Sequence, residues 1–235
     1  MKSLRKLASG VGNVELCDIN KPSVKKDEVL IKVLFSGICG SDIHALKGEY
    51  NKKIPLTLGH EFIGIVSEKG DKVTQLDIGD RVVSETTYEV CEKCPYCLKE
   101  EYNLCSHRKG LGTQVDGSFA TYVLAKADRC HHLPAELPSE VAALMEPLAC
   151  CIHAVMEKTI VQPNEKIAVF GPGPIGVLLA LVLQSLNANV TLIGITKDAL
   201  RLAKARELGI TKTFDSQKTS LENLVEQETD SFGFD

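Results

Sequence analysis

KIAVFGPGPIGVLLALVLQSLN, residues 166–187, decides the fold of the second half of this 235-residue chain. Its first six residues are a short apolar, β-favouring run that ends in glycine, and 174–187 is apolar enough for a buried helix. Glycines at such a junction allow a tight turn and close backbone approach, and the N-terminus of the following helix can receive a pyrophosphate. A bare G-x-G-x-x-G is often only a turn; between a strand and a helix it becomes a strong signal. Gly171, Gly173, Pro174, Ile175 and Gly176 are therefore candidate cofactor-binding residues.

Outward from this turn, NVTLIG (189–194) reads as a second strand, DALRLAKARELG (198–209) as an amphipathic helix stopped by Gly209, and TKTFD (211–215) as a third strand. Strands alternating with helices imply right-handed crossovers and a parallel sheet. The predicted unit, 159–235, is a partial Rossmann (doubly wound) domain, because a dinucleotide-binding sheet has about six strands. SFGFD (231–235) reads as the approach to a fourth, so the chain is expected to be a C-terminally truncated piece with an exposed sheet edge and little activity by itself.

Residues 1–158 have a different texture. VELCDI (14–19), EVLIKVLFSGI (28–38), FIGIVSEKG (62–70), RVVSE (81–85) and FATYVLA (119–125) are β-rich runs punctuated by Gly, Pro and Asp, the pattern of a small barrel. A helical turn or two is expected around 41–49. Ser139 is placed to cap a helix over EVAALM, Pro147 to break or kink it, and 148–159 has helical spacing. The whole is an α/β chain, with a β-rich domain followed by an α/β domain.

Hydrophobic residues at 44% and charged residues at 25% exclude a disordered chain. A net charge of -4 offers no basic footprint for nucleic acid, and the absence of Trp with only 5% aromatics argues against a base-stacking surface. No apolar run is long enough for a membrane span or a secretory core, so a cytoplasmic protein is expected. Nine cysteines in such a chain point to metal or thiol chemistry rather than a disulfide framework.

Cys91, Cys94, Cys97 and Cys105 form C-x2-C-x2-C-x7-C, the spacing of a closed tetrahedral Zn²⁺ site. An Fe–S cluster can use similar spacing. A nucleic-acid-binding ribbon is disfavoured by three Glu against two Lys in CEKCPYCLKEEYNLC. A second constellation is dispersed: Cys39 in GICGSDIH, His60 and Glu61 in LGHEF, and Glu146 in MEPLACC. A thiolate, an imidazole and a carboxylate can hold Zn²⁺ with a position left open, as a catalytic site requires. Taken singly, each of these residues reads equally well as packing or a hydrogen-bonded surface pair.

In order along the chain, GICGSDIH, LGHEFIGIV, GDRV, the four-cysteine loop, EPLAC and GPGPIG resemble the medium-chain zinc-dependent alcohol dehydrogenases, and among them the polyol (sorbitol-like) and threonine dehydrogenase branch. The resemblance runs the length of the chain and implies a GroES-like β-barrel catalytic domain before the Rossmann domain. It implies that Cys39, His60 and Glu61 ligate a catalytic zinc, with Glu146 able to approach or replace a ligand. Asp42 would orient the ligand imidazole. Ser41 and His44 would carry the substrate proton outward, and the quartet would hold a structural zinc, making two zinc ions per chain. The implied reaction is hydride transfer from a polyol or secondary alcohol to NAD(P), in a homo-oligomer when the chain is complete. A non-catalytic, zinc-stabilised fragment is the competing expectation; a zinc-free quinone reductase on the same fold would lack Cys39, Glu61 and the cysteine lobe.

NAD-specific folds place an acid after the second strand to bind the ribose hydroxyl. Here Thr196 stands at the aligned position, with Lys197 and Arg201 close enough in sequence to meet a 2′-phosphate, and Asp198 reads as a helix cap. NADP is therefore expected over NAD.

Overall fold

A computed structural model describes residues 1–49 and 53–235, which divide into two compact units, Met1–Glu146 and Pro147–Asp235. In the first, strands β1 (Lys2–Lys6), β2 (Val14–Asp18) and β3 (Glu28–Gly37) precede helix α1 (Gly40–Leu46). There follow β4 (Leu56–Thr57), β5 (Glu61–Lys69), β6 (Arg81–Ser84), β7 (Thr87–Glu89), β8 (Lys109–Gly110), β9 (Tyr122–Lys126), β10 (Cys130–His132) and the one-turn helix α2 (Ser139–Ala142). Five strands form an antiparallel sheet in the order β10-β6-β5-β3-β9, and three more form the sheet β2-β1-β4. The Leu4 N–H donates to the Phe119 carbonyl at 2.7 Å and Thr121 N–H to the Lys2 carbonyl at 3.0 Å, which ties the small sheet to the large one.

The β3 sequence explains its central place. Val29, Leu30 and Ile31 are fully buried in succession, so both faces of the strand are covered there. Val29 and Ile31 join Phe62, Val66, Val82, Leu111 and Val123 in one core. Each such side chain contributes about 1.5–3 kcal/mol by burial.

The second unit begins with α3 (Met145–Ile152), whose first two residues belong to the preceding unit. The break predicted at Pro147 falls before it, at Ala143 and Leu144: Pro147 sits in the first turn of α3, where no intrahelical N–H is missed. Leu148, Cys151 and Val155 pack into the core of the second unit, so residues 147–158 go with that unit and not, as the sequence pattern predicts, with the β-rich one. Then come β11 (Lys166–Phe170), α4 (Pro174–Ser185), β12 (Asn189–Gly194), α5 (Ala199–Glu207), β13 (Thr213–Asp215) and α6 (Leu221–Thr229). The sheet is parallel throughout, in the order β11-β12-β13, as the βαβ pattern predicts. The β1 strand, the β7–β8 hairpin and α6 escape the sequence reading; α6 is capped by Ser220, whose hydroxyl accepts the Asn223 N–H at 3.2 Å. The main-chain groups of Lys166 that face away from β12 are met by Asp235, whose N–H donates to the Lys166 carbonyl at 2.9 Å.

Gly176 is where helix and turn touch. A Cβ there would lie 1.9 Å from the Gly171 carbonyl oxygen, and a backbone atom cannot move aside as a side-chain tip can. Gly176→Ala should destabilise the second unit by about 2 kcal/mol or more. Thermal unfolding checks this; a variant as stable as the parent would show that the turn has room the structure denies it.

Candidate functional site

The register of β3 and β5 builds the first site. Gly37 lies opposite Glu61 in the antiparallel ladder, so the end of one strand meets the start of the other. Cys39 follows Gly37 by two residues and is the N-cap of α1; His60 precedes Glu61. One ligand atom each from Cys39, His60 and Glu61 lies within 4.8 Å of the others. Gly37 leaves room for this. A Cβ at that position would come 2.4 Å from Oε2 of Glu61. The Ser36 hydroxyl donates to the Glu61 carbonyl at 3.1 Å and fixes the same junction.

Asp42 is buried and joins the two ligand-bearing segments. Its Oδ2 accepts the Cys39 N–H at 3.0 Å, the reciprocal half of a capping box, and its Oδ1 accepts the Gly59 N–H at 3.1 Å. The sequence reading puts Asp42 on the imidazole. Among the described residues Nδ1 of His60 has no hydrogen-bond partner, so Asp42 acts through the backbone on either side of the ligands. Gly59 adopts φ +88°, and a Cβ there would strike the Phe119 ring at 2.4 Å.

The electrostatics fit a cation. The His60 imidazole, hydrogen-bonded to the Cys39 thiol, holds that thiol below its ordinary value against the effect of burial. Burial works against a charged His60, yet Cys39, Asp42 and Glu146 outweigh it and raise the imidazole. Burial raises the Glu146 carboxyl, with Glu61 adding to the rise while His60 and Arg108 oppose it. A cavity of about 410 Å³, lined in part by Ser41, His60, Arg108 and Glu146, opens beside His60. Ser41 Oγ is buried and, like Nδ1 of His60, without a partner among the described residues. Two orphaned polar atoms at a thiol–imidazole–carboxylate set are what an open metal site with a substrate position would leave. Glu146 lines the cavity but stands outside the 4.8 Å ligand set. His44 is exposed and paired with Glu49, and no hydrogen bond connects it to Ser41.

The second site is the cysteine quartet. Cys94 and Cys97 sulfurs are 3.5 Å apart, Cys91 and Cys105 3.7 Å, and Cys91 and Cys97 3.9 Å. A tetrahedron with Zn–S bonds of about 2.3 Å has edges of about 3.8 Å. The residues thus fit a closed thiolate site. Backbone N–H groups, led by that of Lys93, pull the Cys91 thiol down to about 6, whereas burial pushes Cys97 up to about 12. A divalent cation would hold all four as thiolates and remove that conflict.

The third element lies in the second unit. Gly171 takes φ +95° and its N–H donates to the Ile193 carbonyl at 2.8 Å; Gly173 caps α4 and Pro174 opens it, with Ile175 half exposed behind it. After β12, Oδ2 of Asp198 accepts the Ile195 N–H at 3.2 Å and caps the turn. Lys197 is exposed, and Arg201 reaches back to Asp198 at 3.4 Å. Against the expectation that the Thr196 hydroxyl faces a phosphate, it donates to Asp215 at 3.0 Å.

A glycine turn opening a parallel sheet is suited to binding a nucleotide, and a half-satisfied thiol–imidazole–carboxylate set is suited to holding a catalytic metal. A chain carrying both is by class a metal-dependent dehydrogenase. Residues 25–135 match the alcohol dehydrogenase GroES-like domain family. Over its full length the chain is 48% identical to D-arabitol-phosphate dehydrogenase of Enterococcus avium, covering 67% of that protein, and 48% identical to sorbitol dehydrogenase of Halalkalibacterium halodurans, covering 68%. A structure from Sinorhizobium meliloti, described as a zinc-binding dehydrogenase bound to NADP, superposes on 99% of the chain with a TM-score of 0.88 at 34% identity, the chain covering 66% of it. The chain belongs to the zinc-dependent alcohol dehydrogenase family and spans about two thirds of the length of these relatives. No helix among the described residues is long and apolar enough to cross a membrane.

The sequence reading misses Gly37, Gly59 and Arg108. The first two are intelligible only once β3 is paired with β5 and Phe119 is in place; Arg108 follows the quartet by three residues and carries no motif.

Gly37→Ala should lower thermal stability only modestly, because the 2.4 Å clash is with the tip of the Glu61 side chain and the Glu61 Cβ, at 3.2 Å, need give by only a few tenths of an ångström. It should lower zinc affinity at the Cys39 site by about 10–100-fold. Metal titration against a chelator reads this directly, and unaltered affinity would show that Glu61 does not ligate. Cys97→Ser should release the other zinc and cost on the order of several kcal/mol. Unchanged metal content and melting temperature would refute the structural-site assignment.

Proposed function

We propose that this chain carries the catalytic machinery of a polyol or secondary-alcohol dehydrogenase that holds two zinc ions and uses NADP in preference to NAD. The observation that carries the reading is the Cys39–His60–Glu61 cluster beside a cavity in which Ser41 Oγ and His60 Nδ1 have no partner among the described residues. Bound zinc would supply the positive charge that makes a substrate hydroxyl acidic near neutral pH, and bound nicotinamide the hydride acceptor.

The chain's own residues do the rest. Cys39, His60 and Glu61 hold the cation, and Asp42 keeps their two backbone segments together. Glu146 faces the same cavity and stands ready to replace a ligand. Ser41 Oγ accepts the hydroxyl proton while giving up its own, and His44, exposed on α1 and not hydrogen-bonded to Ser41, receives it through intervening solvent. Gly171, Gly173 and Gly176 let the backbone approach a pyrophosphate at the start of α4. With Asp198 committed to the Ile195 N–H and paired with Arg201 at 3.4 Å, exposed Lys197 remains to meet a 2′-phosphate, and Arg201 would leave Asp198 to join it. The relatives are named for a free polyol in one case and a phosphorylated one in another, so both are substrate candidates. The same reading places the protein in the cytoplasm as a homo-oligomer.

The test combines elemental analysis with an oxidation screen over polyols, polyol phosphates, threonine and simple secondary alcohols, using each nicotinamide. Two zinc ions per chain, turnover with a higher kcat/KM for NADP, and loss of turnover by about 10³-fold or more in Cys39→Ala with folding retained are expected. One zinc per chain would remove the catalytic site. Two zinc ions without turnover on any alcohol would assign the chain to the competing reading, a zinc-stabilised piece without catalysis. A NAD preference lost in Asp198→Ala would make Asp198 the ribose ligand.

A further inference from the structure

The cavity beside His60 contains a cation whose presence alcohol oxidation does not require. Arg108 lines it together with Ser41, His60 and Glu146. Its Nε donates to the Thr87 hydroxyl at 2.8 Å and its Nη2 to the Thr86 hydroxyl at 2.6 Å, so two of its five N–H groups hold the plane of the guanidinium and three remain. Among the described residues no carboxylate lies within 4.0 Å of it, Glu146 included. Gly110 keeps Nη1 open: a Cβ there would stand 3.3 Å from that nitrogen.

A second donor lines the same cavity. The Gln114 side-chain oxygen accepts both the Gly110 N–H at 2.8 Å and the Thr113 hydroxyl at 2.7 Å. That commits the oxygen inward and leaves the amide nitrogen as its free end. A fixed guanidinium and an oriented amide, both donor-only, form the half of a site that an anion completes; bidentate recognition of phosphate is the use to which Arg is best suited.

Taking the dehydrogenase reading above as its basis, we propose that Arg108, with Gln114, forms a phosphate subsite in this cavity, so that the substrate is a phosphorylated polyol. A hydroxyl-bearing carbon then lies at the Cys39–His60–Glu61 end and the phosphate at the arginine. Arg108 is a specificity residue and takes no part in the chemistry. A cavity of about 410 Å³ is within the ordinary range for sites of small ligands. Glu146 shares the cavity, so the phosphate must sit on the side of the guanidinium away from it, which the lack of an Arg108–Glu146 ion pair permits.

The experiment is calorimetric titration of the zinc-loaded protein, without nucleotide, using a pentitol 1-phosphate, the same pentitol unphosphorylated, and inorganic phosphate. The phosphorylated compound should bind at least about tenfold more tightly than the free one. Arg108→Gln should cancel that preference while leaving affinity for the free pentitol within about twofold, and Arg108→Lys should keep part of it. Equal affinities in the parent protein, a preference that survives in Arg108→Gln, or no binding of the phosphorylated compound would each overturn the proposal. So would an Arg108→Gln variant whose loss falls on NADP binding, since the cofactor's 2′-phosphate would then be the anion. The parent comparison stands even if Arg108→Gln fails to fold. If the preference appears and depends on Arg108 but no alcohol is oxidised, the subsite stands and the dehydrogenase reading falls. If alcohols are oxidised with no preference for the phosphorylated one, the dehydrogenase reading stands and the subsite falls.

Discussion

The pairing of Gly37 with Glu61 is the constraint on which the first unit's chemistry depends. Two antiparallel strands can slide by one residue only if every side chain changes face, and a slide would also put a side chain where Gly64 has none, 2.4 Å from the Lys32 carbonyl oxygen. The same register that buries the core therefore sets the carboxylate of Glu61 against the thiol of Cys39 and the ring of His60. Asp42 completes the arrangement from the helix side. One carboxylate accepting N–H groups from Cys39 and Gly59 locks the start of α1 to the segment that enters β5, and does so without occupying a ligand atom.

The quartet gathers four thiols that would repel one another if ionised, and at the other site Cys39 and Glu61 would repel while His60 offsets them. The fold pays this cost in advance: Cys91 is pulled down to about 6 while Cys97 is pushed up to about 12, although the two sulfurs are 3.9 Å apart. The same set of atoms is stabilised once a dication is present, so the metal contributes folding free energy as well as chemistry. The two sites differ in how completely they are closed. The quartet could supply all four ligands from one short loop, whereas His60 of the Cys39 set borders a cavity together with Ser41, whose hydroxyl has no partner among the described residues.

What is legible in the sequence follows from the range of the interactions involved. The strand–turn–helix at 166–187 and the spacing of the quartet are local, and both stand where the sequence pattern puts them. The dispersed ligands Cys39, His60 and Glu61 are legible only through resemblance, because their proximity is a product of strand register rather than of spacing. The resemblance names Glu146 as able to approach or replace a ligand; it lines the cavity but lies outside the 4.8 Å set of Cys39, His60 and Glu61. The break between α2 and α3 departs from the expected position for a physical reason, since a proline in the first turn of a helix breaks nothing. Gly37 looks in sequence like any glycine near a strand end, and its purpose is visible only in the 2.4 Å between its missing Cβ and a carboxylate oxygen.

The second unit shows how neighbouring acids can leave a basic position free. An acid after the second strand of a nucleotide-binding sheet would ordinarily face the ribose. Asp198 is near that place, but its carboxylate is held against the Ile195 N–H and screened by Arg201. Asp215, at the end of the next strand, accepts the Thr196 hydroxyl and the Gln217 N–H and has Lys218 at 3.6 Å. Both acids are thus occupied with internal donors, while Lys197 stays exposed on the turn. An acid already satisfied by backbone donors gains less from a ribose hydroxyl than a free one would, because the exchange is of one hydrogen bond for another. The balance of charge at the strand ends is thus set by what each acid already holds, not by the mere presence of an acid in the sequence.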